Sequence, residues 1–345
     1  MSTLSITIMV GNGFDLSSGL KTSTTRFMDY FSSNHALDNG PVGDLARQIS
    51  YEGPQNWADF EKKLGEYTIF LEDLDEDAIE AALDCKEAID IELVDFIAAE
   101  DAKVTEEFIK ANSDSVLESI GYWYAALQPL ERQRIREAYP INYSTDVSLV
   151  SFNYTSLLPL LFKEFGTGQH AAPEGSGAVS AIQVSNFAHA HGSLEREAVC
   201  GVNDASQIKS ELLSSNEDIT ATFVKGEIQK LFGSVDDRRA SGLISGAQIL
   251  IIFGLSLGET DTRWWEEAVG LLKKDAKRFI LIASTSALLA RRSPASFRRF
   301  SKELKEKLLT RGGASDDEMP ALSDRIFIFP SESIFCFKSH VGGKS

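Results

Sequence analysis

Four short segments of this chain end an apolar run with residues able to bind a ligand or to move protons. Gly11-Asn12-Gly13-Phe14-Asp15 follows the run at 5–10, and a third glycine, Gly19, stands six residues beyond Gly13. Phe152-Asn153-Tyr154-Thr155 ends the run at 147–153, and His189-Ala190-His191-Gly192-Ser193 ends the one at 181–190. Gly254-Leu255-Ser256-Leu257-Gly258-Glu259-Thr260-Asp261 follows the run at 248–254. A strand running into Gly-x-Gly lets the backbone turn tightly and approach a phosphate, with a helix N-terminus next to it. A tight turn after a buried strand explains the same residues. The spacing is neither Gly-x-Gly-x-x-Gly, since position 16 is Leu, nor a P-loop, since no Gly-Lys-Ser/Thr follows.

The other segments have plain readings too. Asn153 and Asp261 are residue types that cap helices. His191 before Gly192 suits a turn. His189 and His191 share one face of a strand, as two metal ligands would, but no third ligand or carboxylate motif accompanies them, and no metal is expected. The convergence argues more strongly than any single residue. In an open parallel sheet ligands bind outside the carboxyl ends of the strands, and four such ends carry Gly, Asn, Ser, Asp or His.

The elements that would position these residues follow from periodicity. Strands are expected near 5–10, 147–153, 181–190, 199–202, 248–254, 278–283, 325–329 and 334–337. Helical segments between several of them imply βαβ units and a mainly parallel, Rossmann-like α/β sheet flanked by helices. From Thr24 to about Tyr143 the pattern stays helical. One domain is therefore expected from residues 1–23 plus 146–345, interrupted by an all-helical insertion over 24–145. Glu72 to Asp101 holds thirteen acids and a single lysine, Lys86, at helical spacing, which reads as a helix pair with a solvated acidic face.

Composition limits the function. A net charge of −17 over 345 residues disfavours broad nucleic-acid binding, and no carboxylate cluster suggests a nuclease. Cys85, Cys200 and Cys336 stand far apart, forming neither a disulfide framework nor a zinc module, which points to a reducing cytoplasm. The longest apolar runs are too short to span a membrane, and the N-terminus reads as a strand, not a signal peptide. Arg291, Arg292, Arg298, Arg299, Lys302, Lys305, Lys307 and Arg311 form a local basic patch. It reads as a solvated helix face; the alternative is contact with an acidic partner or with the acidic segment of a second copy in a homo-oligomer.

Taken in order, Gly11-Asn12-Gly13-Phe14-Asp15 with Gly19-Leu20-Lys21-Thr22, Trp57 with Glu61, Phe152-Asn153-Tyr154-Thr155, His191-Gly192-Ser193 and Gly254-x-Ser256-Leu257-Gly258-Glu259-Thr260-Asp261 resemble the AbiH family of bacteriophage abortive-infection proteins. That pattern is in turn similar to the sirtuin-like fold of NAD-consuming proteins. Gly11, Gly13 and Gly19 match its glycines, Asn153 matches the Asn of its Asn-x-Asp, His191-Gly192 its His-Gly, and Gly254 with Ser256 its Gly-x-Ser. Thr155 replaces the acid, Lys21-Thr22-Ser23-Thr24 replaces Pro-Asp-Phe-Arg, and the paired Cys-x-x-Cys zinc module is missing.

Those departures turn the expectation from protein deacylation to NAD hydrolysis in antiphage defence. The resemblance implies Asn153 and His191 as catalytic residues. It implies Gly11, Asn12, Gly13, Phe14, Asp15, Gly19, Gly192, Ser193, Gly254, Ser256 and Asp261 as binding residues for NAD, with a phage-derived protein as a trigger. The alternative is a non-catalytic module that binds NAD, ADP-ribose or another nucleotide as a signal and acts with a partner.

Overall fold

The computed structural model describes residues 3–139, 143–195, 199–232, 235–290 and 292–343. Among the described residues seven strands form one sheet: β1 (Thr3–Val10), β2 (Tyr143–Ser151), β3 (His170–Ala171), β4 (Val179–His189), β5 (Ile249–Phe253), β6 (Phe279–Ser284) and β7 (Ile326–Pro330). Their order is β3-β4-β2-β1-β5-β6-β7. Neighbours run parallel throughout, apart from the two-residue β3, which is antiparallel to β4. The chain moves outward from β1 in one direction through β2 and β4, then in the other through β5, β6 and β7. Order therefore reverses at β1 and β5, where parallel sheets leave a crevice for ligands.

The strands read as continuous apolar runs because both faces of the sheet are covered. On one face Ile6, Ile8, Val10, Leu149, Ile251 and Leu281 pack with helices α6 (Glu106–Ile120) and α8 (Leu157–Phe165). On the other, Met9, Val150, Leu250, Ile252 and Ile280 meet α12 (Val235–Gly246) and α13 (Thr262–Lys274) through Ile244, Trp264 and Trp265. A third core joins α2 (Thr24–His35), α3 (Pro41–Glu52), α4 (Trp57–Tyr67) and α5 (Ala78–Asp101) to Cys200, Val202, Leu213 and Phe223. The latter come from the segment after β4, which carries the short helices α9 (Glu211–Ser214) and α10 (Glu217–Phe223) and leads into α11 (Lys225–Phe232). The helices between β1 and β2 thus divide between two cores: α2–α5 build the third, while α6 and α7 (Pro129–Ala138) pack on the sheet. The remaining helices are α1 (Gly13–Ser17), α14 (Thr285–Ala290), α15 (Pro294–Arg311) and α16 (Met319–Ser323).

Three expectations are corrected. Residues 199–202 make a single bridge, Val202 to Val224, and no strand. Residues 334–337 are not a strand either, because Phe335 turns to φ 55°, which ends an extended run. The acidic stretch expected as a helix pair is a 3-10 segment, Thr68–Asp77, leading into the single helix α5. In addition, β2 begins at Tyr143, within the range assigned to the helical insertion. Among the described residues no helix is long and apolar enough to cross a membrane.

Candidate functional site

β1 ends at Val10, and the glycine turn after it locks onto the end of β5. Gly11 N–H donates to Phe253 O at 2.8 Å, and Gly13 N–H donates to Gly254 O at 3.0 Å. A Cβ on Gly13 would lie 2.5 Å from Gly254 Cα, and Gly254 itself takes φ +68°. Both glycines are there because two backbones touch at the crevice. The two N–H groups expected to hold a phosphate are therefore engaged within the protein. Asn12 is fixed as well: its Nδ2 donates to Thr22 O at 3.0 Å, and its Oδ1 accepts from Thr22 Oγ1 at 2.6 Å.

The carboxyl ends of β1, β2, β4 and β5 open into a cleft of about 300 Å³, at the lower end of the range for ligand sites. Of the residues singled out from sequence, Asn12, Gly13, Asp15, Asn153, His191, Gly254, Ser256 and Asp261 line it. Gly11, Phe14, Gly19, Gly192 and Ser193 do not. The five-residue α1 turns Phe14 into the core, where its ring lies 5.0 Å from Phe335 and 5.4 Å from Phe337. Gly19, at φ +96°, packs against His340. These two residues shape the scaffold under the cleft. Asn56 caps α4, with its Oδ1 accepting from Asp59 N–H at 3.1 Å, and it brings Trp57 and Glu61 of that helix to the opposite wall.

Two buried polar groups face the cleft. In the first, the Asp15 carboxylate accepts from Asn153 Nδ2 at 3.1 Å and from Thr155 Oγ1 at 3.0 Å. Burial pushes the Asp15 pKa up to about 7 against the pull of those two donors, and Asp101 adds to the rise. Asn153 also donates to Gly11 O at 3.1 Å, so both its amide hydrogens are used and its Oδ1 is left as the acceptor for a ligand. It does not cap the next helix, whose N-cap position is Ser156.

The second group was not assembled from sequence. Lys225 Nζ, at the start of α11, donates to Asp261 Oδ1 at 2.8 Å and to Glu61 Oε2 at 2.7 Å. Glu61 also accepts from Thr260 Oγ1 at 2.6 Å and from Gly201 N–H at 3.3 Å. His191 Nε2 lies 3.1 Å from Asp261 Oδ1, but it is buried and out of line for a hydrogen bond. The Phe152 ring stands edge-on to the imidazole at 5.0 Å. Asp261 occupies the N-cap position of α13 without a capping bond, so its side chain serves this group instead.

Burial alone would raise the Asp261 pKa, but the Lys225 ammonium, together with the neighbouring His191 ring, outweighs it and holds the carboxylate below its usual range. Burial would lower the Lys225 pKa; Asp261 and Glu61 overcome that and raise it. Glu61 moves up, because burial and the Asp261 charge together exceed the help from Lys225. Two carboxylates thus share one ammonium, and Glu61 holds its charge less firmly than Asp261.

A signal for Glu61 as part of the site was present in the sequence. It lies on the buried stripe of α4 with Ala58 and Leu64, where an acid is out of place. Lys225 carries no such sign. It follows Phe223-Val224 and precedes Gly226, with nothing to distinguish it from a surface lysine.

Part of the basic patch buttresses the cleft: Lys307 Nζ donates to Ser256 O at 2.9 Å, and Arg311 pairs with Glu259. Arg292, Arg298, Arg299 and Lys302 are exposed, and Arg291 lies outside the described residues.

In chemical terms the cleft offers an amide oxygen that can orient a water, an imidazole beside a fixed carboxylate, and a carboxyl group poised near neutrality. That is equipment for activating water on an uncharged or cationic centre. A match to the bacteriophage abortive infection AbiH family covers residues 7–282, from β1 into β6. No curated protein matches the chain.

Proposed function

The chain belongs to the bacteriophage abortive infection AbiH family, which assigns it a defence role, and from that premise we propose that its cleft binds NAD and hydrolyses the nicotinamide–ribose bond. The observation that carries this reading is the meeting of Asn153 and His191 in one cleft at the reversal point of the sheet. In the reaction the bond from the ribose anomeric carbon to the pyridinium nitrogen breaks, and its electron pair leaves with nicotinamide. The anomeric carbon becomes cation-like, and a water oxygen bonds to it. Asn153 Oδ1 orients that water and His191 accepts its proton, giving ADP-ribose, nicotinamide and one proton. The carboxylates of Asp261 and Glu61 favour the developing positive charge. Ser256 and the capped start of α2, which lines the cleft through Ser23 and Thr24, supply polar groups for the phosphates. A phage-derived protein is taken as the trigger that raises this activity above its basal rate.

One observation favours a second reading, a nucleotide sensor without chemistry. Glu61 belongs to the helical layer yet pairs with Lys225, which in turn holds Asp261 in the cleft. A ligand that displaces this group would move α4 and signal to a partner.

Nicotinamide and ADP-ribose are measured after incubating purified protein with NAD, and NAD is measured in cells producing wild type or His191→Ala. The hydrolase reading expects NAD loss with wild type and a rate about 10²- to 10⁴-fold lower with the variant. Cell arrest at unchanged NAD overturns it. NAD binding with no product after prolonged incubation selects the sensor.

A further inference from the structure

We infer that Lys225 and Glu61 are positioning residues for the His191 base, acting through the Asp261 oxygen that Lys225 holds and His191 faces. This rests on the reading of His191 as the proton acceptor, and it adds two residues that the sequence left unassigned to chemistry. Asp261 Oδ1 receives Lys225 Nζ at 2.8 Å and stands 3.1 Å from His191 Nε2. That imidazole nitrogen is buried 3.1 Å from the Asp261 oxygen, so the electrostatic setting of the ring depends on where Asp261 is held. Lys225 fixes Asp261. Glu61 fixes Lys225, and is itself held by Thr260 and Gly201.

The charge count gives the arrangement a purpose. A structural ion pair would need one acid for one lysine. Here two buried acids face one ammonium, so with Glu61 ionised the group carries one negative charge in excess beside the imidazole. When His191 takes a proton from water the excess disappears, so the group favours the protonated product of that step. Among the described residues, no other charged or titratable group nearby supplies this balance. Tyr154 and Cys200 sit against Glu61 with pKa values raised by burial, so both stay neutral. Lys86 pairs with Asp90, and Arg263 with Asp237. Asp15 is tied to Asn153 and Thr155.

The test uses the full chain as wild type, Lys225→Met, Glu61→Gln and the double variant. Two quantities are read: the pH profile of kcat/KM for NAD, and the pH titration of the His191 ring by nitrogen NMR without ligand, assigned with His191→Gln. Removing the ammonium should move the acid limb and the ring titration to higher pH, by about one unit. Removing the Glu61 charge should move both to lower pH, and the double variant should return near wild type. Opposite shifts show that both charges act on the ring, whereas a pair that only supports the fold away from the imidazole moves neither. Unmoved ring titrations in folded Lys225→Met and Glu61→Gln overturn the inference. If wild type does not cleave NAD, the hydrolase reading fails while the ring titration still decides this one. If Lys225→Met does not fold, Glu61→Gln and the double variant carry the same comparison.

Discussion

Lys225 and Asp261 meet at 2.8 Å in the interior, joined by Glu61 at 2.7 Å from the same ammonium. Lys225→Met should cost about 3–5 kcal/mol, because it leaves two uncompensated buried carboxylates. Adding Glu61→Gln should recover a large part of that loss. Urea unfolding of both single variants and the double gives the coupling; additive losses would mean that the pair is not energetically linked.

Asp15 makes stability depend on pH near neutrality. Its folded pKa of about 7 lies above the ordinary 3.8, so the fold prefers the neutral carboxyl. Its contribution is complete below about pH 4 and is lost as pH rises through 7, a change on the order of 4 kcal/mol. Asp15→Asn should therefore be favoured over wild type more at pH 8 than at pH 5. Chemical denaturation at the two pH values reads the difference, and equal differences would show that Asp15 is ionised throughout.

Asn153 donates twice, to Gly11 O and to Asp15. Asn153→Asp keeps the shape but sets a carboxylate against a carbonyl and a second carboxyl. A loss of about 2–4 kcal/mol is expected, larger at pH 8 than at pH 5. A melting temperature unchanged at both pH values would mean that the amide is not held as described.

The contact of Gly13 with Gly254 leaves no room for a methyl group, since the nearest backbone atom is 2.5 Å from its position. Gly13→Ala should push the ends of β1 and β5 apart and destabilise by about 1–3 kcal/mol. Thermal melting checks this, and a stable Gly13→Ala protein with unaltered NAD affinity would show that the crevice tolerates widening.

The sequence made the strand ends legible because apolar β-branched runs are visible without partners. It also brought Asn153, His191, Ser256 and Asp261 to one edge, and all four line the cleft. It misjudged how the polar groups are used. Gly11 and Gly13 bond to the neighbouring strand end, a pairing that only the sheet order reveals. Phe14 and Gly19 fall outside the cleft because α1 is a single short turn. Lys225 was invisible because its role depends on two acids, one 164 residues before it and one 36 residues after. Short-range patterns carry no trace of such partners.

The distant origin of these groups has a consequence for synthesis. Glu61 and Thr260, which grip one another in the cleft, are 199 residues apart. A growing chain that has not yet released residue 261 holds the glycine turn, Asn153 and His191 but cannot complete the buried charge group. Nascent and prematurely ended chains therefore lack a finished cleft, and the assembled centre arises only once the polypeptide has closed around it.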